Sequence, residues 1–510
     1  MPDRSGTAGR RAAVNRPDAA EVVFDQAIFT SVRTPMGEGY RIIAASAGVS
    51  GDEKQAITTH APSHDALCDE SSRAGGIACY PLPSGRLCIA TTCRAGTEHT
   101  GRGKRIYTYN LVVDEAGFAA FGYSPFAIIR AAETLDLTQP RLKTQEKLPT
   151  VTLSVDAGRG APTAAATDGG AETGWLMCAV WGVILGRRYV VCPPPKEAAC
   201  AAETVWTALP GPLRLKRSLS VGLKFSVQRC CDLNVLAGAG PVPASTLPEG
   251  LELLRPDGVS ARSAIGGAGA SGRDGFDHAM ADSDWMRYVA ACWSRGDGAT
   301  LAKNTAQPFD DCTPRALDRL GGLFLALEEC RKAGVARLLA MADEFVDRTA
   351  RGVEGRIVDD LVAHVGAGLL QWHERAAIDQ LRQYWMRVVE LWKRSPLACA
   401  FAWPLIERTL DRIAGADPPA AASIALSVAR LPHDTLPQGA HENLIQRTLE
   451  RLIAWCDDLP DDRVDEIRLL ADQWKNQRPA CDVVLRLTSL ERLTPQVESR
   501  QPRSDRPQGT

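Results

Sequence analysis

The spacing at which apolar residues recur changes partway along this chain of 510 residues, and that change limits the architecture it can adopt. Ile378, Leu381, Trp385, Val388 and Trp392 recur at intervals of three and four, which lays one apolar stripe along an α-helix. Ile445, Leu449, Leu452 and Cys456 repeat the pattern, and Val464, Ile467 and Trp474 follow it less regularly. Before residue 122 the apolar residues gather instead in short β-branched and aromatic runs at 22–31, 40–45, 77–80, 87–92 and 106–113. Gly37, Gly39, Gly85 and Gly101 stand at the breaks. This spacing predicts an α+β N-terminal half, a mixed or antiparallel sheet plus a small α/β unit, followed by an all-α helical bundle or short solenoid. No fixed-length repeat marks a tandem array.

Finer divisions follow from composition. Residues 1–20 and 496–510 are polar, Arg/Pro/Ser/Gly-rich ends, expected to be disordered tails. Residues 21–137 form the α+β domain, closing on a helix over Pro125–Glu133 with Ser124 as N-cap and proline in the first turn. Residues 138–172 are expected to be a linker. The segment 173–239 follows as the small α/β subdomain: helix at 174–185, strand at 188–192, helix at 196–208 and strand at 213–227. Gly, Ser, Ala and Asp dominate 240–281, a second expected linker, and 282–495 is the α-helical domain.

Net charge is −2, from 59 basic and 61 acidic residues, so no global field draws the chain to nucleic acid or anionic lipid. The N-terminus has Arg10-Arg11 but no apolar run behind it, and the longest apolar stretch, near 175–185, is too short to span a bilayer. The chain therefore reads as soluble and cytoplasmic. Fifteen cysteines without a CxxC motif fit reduced, buried thiols better than a disulfide framework.

Most motif matches have a plain structural reading. Gly267, Gly269 and Gly272 match GxGxxG, but polar residues flank them where a dinucleotide site needs a strand and then a helix. Gly96 and Gly101 have phosphate-loop spacing, yet Arg102 stands where lysine is required and a strand-like run follows. An Arg-rich turn that could contact an anion remains. His60, His64 and Cys68 lie four apart, as metal ligands on a helix would, but Pro62 interrupts any such helix. Cys230-Cys231 and the pair Cys88/Cys93 read as buried thiols, and no HExxH, GxSxG or kinase signature occurs. Neither a cofactor nor a metal is expected.

The segments 27–50, 80–92, 101–113, 121–132 and 209–225 together carry a pattern of aromatic, glycine and arginine positions. In that pattern the chain resembles the N-terminal module of bacterial GTPase-associated proteins, encoded beside small GTPases in predicted conflict (defence-like) systems. The resemblance covers roughly 22–232. It implies a non-catalytic adaptor that binds a small GTPase or companion effector, and it carries over no catalytic residue. Tyr109 stands where relatives often have histidine.

Arginine and tyrosine are the side chains that most often anchor interfaces. The candidate partner-binding residues are accordingly Arg41, Arg86, Arg102, Lys104, Arg105, Tyr107 and Tyr109, with Arg214 and Arg217 in a basic cluster before a strand. The alternative is a hydrolase or nuclease whose site is assembled from dispersed residues such as His64, Asp65, Glu98 and His99. In the adaptor reading the helical half offers a second surface; a third possibility is that it serves mainly to oligomerise the protein.

Overall fold

The computed structural model describes residues 20–34, 37–68, 75–98, 103–141, 147–158, 172–229, 231–237, 247–248, 250–254, 271–345, 351–377 and parts of 379–477. The chain forms two compact units, 1–322 and 323–510.

All five early apolar runs are strands: β1 (Glu21–Thr34), β2 (Gly37–Ser46), β3 (Gly76–Pro81), β4 (Leu87–Thr97) and β5 (Lys104–Val113). They pair antiparallel in the order β3-β4-β5-β1-β2. Ile106–Val113 is buried at every position, so both faces of this central strand are covered. On one face sits α1 (Gly51–His60), whose Ile57 packs with Ala27, Ala45, Tyr80, Leu82, Cys88 and Val112. This helix was not expected. Its signal is Ser50-x-x-Glu53, a reciprocal capping box in which each side chain meets the other residue's backbone N–H. On the other side lie α2 (Glu115–Ala120) and α3 (Pro125–Glu133). The latter starts where Ser124 accepts from the Ala127 N–H, with proline in its first turn, as its sequence predicts.

Both stretches read as linkers contain sheet. In 138–172, β6 (Lys147–Leu148) pairs parallel with β2, and β7 (Val151–Ser154) pairs antiparallel with the start of β1. A turn of helix, α4 (Val155–Gly158), follows. Burial of Leu153 and Val155 among polar neighbours is what the composition concealed. In 240–281, β11 (Leu251–Leu254) buries three of its four residues, and α8 (Ser271–Asp282) follows. Gly267 and Gly269 lie outside the described residues.

The helix–strand alternation after residue 172 yields α5 (Glu172–Ile184), β8 (Arg188–Val191) and α6 (Ala198–Ala208). The strand expected at 213–227 is mostly something else. Pro210-Gly211-Pro212 starts a helical turn, α7 (Gly211–Arg214), and only β9 (Leu219–Val221) is extended before Gly222 takes a left-handed φ of +69°. A 3-10 turn at Val227–Arg229 and β10 (Leu233–Val235) follow. β11, β8, β10 and β9 are parallel neighbours, and β9 pairs antiparallel with β3. The two expected α/β parts therefore share one sheet, β11-β8-β10-β9-β3-β4-β5-β1-β2-β6. The wholly buried β9 and β10 fit a parallel half covered on both faces.

The first helices of the C-terminal region also belong to this unit. α9 (Asp284–Ser294) packs on α5, and α10 (Gly298–Thr305) packs on α6. The compact unit thus runs past the boundary expected at 282. In α11 (Pro314–Cys330), Gly321 has no room for a side chain: a Cβ there would lie 2.4 Å from the Trp285 backbone nitrogen.

The second unit is helical. α12 (Val335–Phe345) packs on α13 (Gly352–Arg375), where Leu338, Leu339, Met341, Ile357, Leu361, Val365 and Leu369 are buried. Farther on is α14 (Asp461–Gln477), with Val464 and Ile467 buried. Of the stripes read in the sequence, Leu381 and Leu452 are also buried, whereas Ile378, Trp385, Val388, Trp392, Ile445, Leu449 and Cys456 lie outside the described residues. Among the described residues no helix is long and apolar enough to cross a membrane.

Candidate functional site

Four elements converge at the end of the antiparallel sheet where β1 finishes and β5 begins. Ser31 of β1 lies opposite Tyr40 of β2, so both project from the same face, and Tyr40 stacks on Phe29 at 5.8 Å between centroids. The Tyr40 hydroxyl accepts from the Ile106 N–H at 3.2 Å. Glu98, just after β4, closes the β4–β5 connection through its own N–H to the Gly103 carbonyl. Its carboxylate is buried and faces two groups: Ser31 Oγ donates to Oε1 at 3.4 Å, and His64 Nδ1 lies 3.9 Å from Oε2. Glu98 Oε2 has no hydrogen-bond partner. Asp65 holds a left-handed φ of +55° and accepts from the Lys104 N–H. Burial, with the charges of Glu98 and Asp65 added, raises the Tyr40 phenol above its ordinary pKa.

This end brings together His64, Asp65 and Glu98 of the alternative reading; His99 lies outside the described residues. His60, His64 and Cys68, expected as one metal-spaced set or none, go three ways. α1 ends at His60, which stacks on Tyr80. His64 faces Glu98, and the Cys68 N–H donates to Gly222 O beyond the end of β9. Among the described residues no group of three or more His, Cys, Asp or Glu could hold a metal ion.

The proposed interface residues divide by burial. Arg41 and Lys104 are exposed at the same sheet end, and Arg105 is half-buried there, donating twice to the Ala95 carbonyl. Arg102 lies outside the described residues. Tyr107, Tyr109 and Arg214 are not exposed anchors: all three are buried. Tyr109 donates to Gln26 Oε1 at 2.6 Å, and the Gln26 amide donates to the Pro149 carbonyl, tying the end of the β6 segment to the sheet. Burial pushes the Tyr107 hydroxyl up to about 12.

Arg214 is 1% exposed and donates to the carbonyls of Leu209, Gly122 and Thr207 and to Thr305 Oγ1. It pins α7 to the turn after α2 and to α10. Burial lowers its pKa to about 9, which still leaves it charged at neutral pH. Arg217 is partly buried, with Asp232 at 3.7 Å.

Arg86, in the β3–β4 turn, is the centre of an internal network. It donates to Glu53 through Nε and Nη2, to Asp25 through Nη1 and to the Gly48 carbonyl. Burial works against the charge of Glu53, but the bonds from Arg86, Ser84 and the Ser50 N–H outweigh it and hold the carboxyl at about 2. The sequence signal for this role was present in Glu53, the capping-box residue, whose two oxygens both accept from Arg86.

Residues 23–153 match the family model of GTPase-associated protein 1, N-terminal domain type 2, so this segment is similar to that GTPase-associated domain. The match spans β1 to β7 and includes the whole convergent sheet end. No curated protein matches the chain.

Proposed function

We propose that the chain is an adaptor in a bacterial conflict (defence-like) system, and that residues 23–153 dock a small GTPase or a companion protein of that system. The observation that carries this reading is the family match to a GTPase-associated domain. The docking surface is the sheet end bearing Arg41, Lys104 and Arg105, the basic candidates of that domain that reach solvent or its margin. Arg86, Tyr107 and Tyr109 build the platform and do not touch the partner. A cytoplasmic location and assembly through the helical unit belong to the same proposal. The test is capture of candidate small GTPases by the full chain, each loaded with GTP or GDP. Preferential capture in one nucleotide state supports the reading, and negligible capture in both counts against it.

A second reading, hydrolysis, draws on the His64–Glu98 approach, an imidazole beside a buried carboxylate with its other ring nitrogen available to a water. Against it, Ser31 bonds to Glu98 and not to the imidazole, so no nucleophile–base contact is formed. Turnover of an ester or phosphoester by purified protein, abolished in His64→Ala, would displace the adaptor reading.

A further inference from the structure

The outer edge of β2 is open backbone. β6 covers it only at Ala45 and Ser46, whereas β11, at the opposite edge of the sheet, buries three of its four residues. Gly37 and Gly39 are exposed, which for glycine means the main chain itself, and a Cβ at either position would meet nothing within 4 Å. β2 carries no proline, the residue that most simply blocks an edge.

The register shows which backbone groups face outwards. The Gln26 N–H donates to Ser46 Oγ on the β2 side of β1, and the Ala27 carbonyl accepts from Asn110 Nδ2 on the β5 side. Alternation along β1 then turns Thr30 and Val32 towards their β2 partners, Arg41 and Gly39. Glu38 and Tyr40, opposite Arg33 and Ser31, therefore point their N–H and C=O groups away from β1. Among the described residues no hydrogen bond reaches those groups. The strand is also held ready for pairing. Arg33 and Glu38 form an ion pair at 2.9 Å across the ribbon, and Tyr40 is tied to the Phe29 ring and to the Ile106 N–H.

We propose that residues 38–42 of β2 receive an extended, acidic segment of the docked small GTPase as an added strand. This inference rests on the docking reading of residues 23–153 and specifies how that contact is made. Main-chain bonds to Glu38 and Tyr40 supply affinity, and side chains at alternate positions supply selectivity. Charge sets the occupant. Arg41 is exposed with no carboxylate paired to it among the described residues, and exposed Lys147 stands where β6 closes the edge. The strand's own acid, Glu38, is already met by Arg33. An incoming residue directly opposite Arg41 shares its face, so an Asp or Glu there forms a cross-strand pair. The open space over Gly39 accepts a large neighbour. A second copy of the chain fits less well. Two-fold antiparallel pairing of β2 with itself keeps both Arg41 side chains on one face of the joint sheet, where like charges repel.

The test is hydrogen–deuterium exchange of the full chain, alone and with each candidate small GTPase loaded with GTP or GDP, read by mass spectrometry over residues 37–44. Affinities of Glu38→Ala and Glu38→Pro and sedimentation of the unbound chain accompany it. Exchange over 37–44 should slow by about tenfold or more in the complex. Proline at 38 removes an outward N–H and leaves the β1 ladder whole, so Glu38→Pro should bind about tenfold or more weaker than Glu38→Ala. Unchanged exchange over 37–44 in a complex that forms would overturn strand addition and leave docking standing, whether or not Glu38→Pro folds. Equal affinity of folded Glu38→Pro and Glu38→Ala would overturn it too. Capture of no GTPase in either state would overturn the docking reading and this inference with it. A dimer of the unbound chain that Glu38→Pro dissociates would assign the edge to a second copy and overturn the acidic strand.

Discussion

Arg86 and Arg229 stand in opposite halves of one sheet and are handled in opposite ways. In the antiparallel half, Arg86 bonds to two carboxylates and a carbonyl, and the Glu53 carboxylate it meets also accepts from Ser84. In the parallel half, Arg229 reaches one carbonyl and leaves a sealed N–H unmet. Between them, Arg214 demonstrates that carbonyls and a hydroxyl alone can satisfy a guanidinium when enough of them converge. The fold can therefore furnish acceptors for buried arginine.

Arg214→Met sharpens the contrast most. Three carbonyls and Thr305 would lose a charged donor in a dry site, which should destabilise the 1–322 unit by about 4 kcal/mol, read from its urea midpoint. Arg86→Met ranks next, at about 3 kcal/mol, because it strands the Glu53 carboxylate.

The same network predicts a pH dependence. Glu53 titrates near 2 in the folded chain and near 4.5 unfolded, so its contribution is complete above 4.5. About 2–3 kcal/mol is then lost as the pH falls from 4.5 towards 2, and Glu53→Gln should flatten that slope.

His373 gives the helical unit its own comparison. It is buried with neither ring nitrogen partnered, and burial, reinforced by Arg412 and Arg408 and opposed by Glu374, lowers its pKa to about 4. The unfolded chain takes up the proton first, near 6.5. Stability of residues 323–510 should therefore decline by about 2 kcal/mol as pH falls from 6.5 to 4, a slope that His373→Leu removes. A midpoint constant across that range would show that the imidazole meets water.

These comparisons also mark what the sequence could tell. The five antiparallel strands and α3 were legible because each carries its own signal, a β-branched run between glycines or a Ser-Pro start. β7, β10 and β11 were not, because runs of three or four residues carry no period of their own and become strands only through their neighbours, and of the strand expected at 213–227 only the three residues of β9 are extended. The site was legible as residue types and not as roles. Nothing in the local sequence distinguishes exposed Arg41 from Arg214, which folds back on four acceptors, and only the register that sets Ser31 opposite Tyr40 brings Glu98 and His64 near them.

The adaptor reading is tested most directly by the affinity of the full chain for a candidate GTPase, loaded in the state it captures, against the double variant Arg41→Glu/Lys104→Glu. Removing and reversing two rim charges should weaken binding by about tenfold or more and reduce its salt dependence, with Arg229→Met binding as the parent does. Equal affinity of the parent and the double variant at every salt concentration would contradict docking at this end of the sheet.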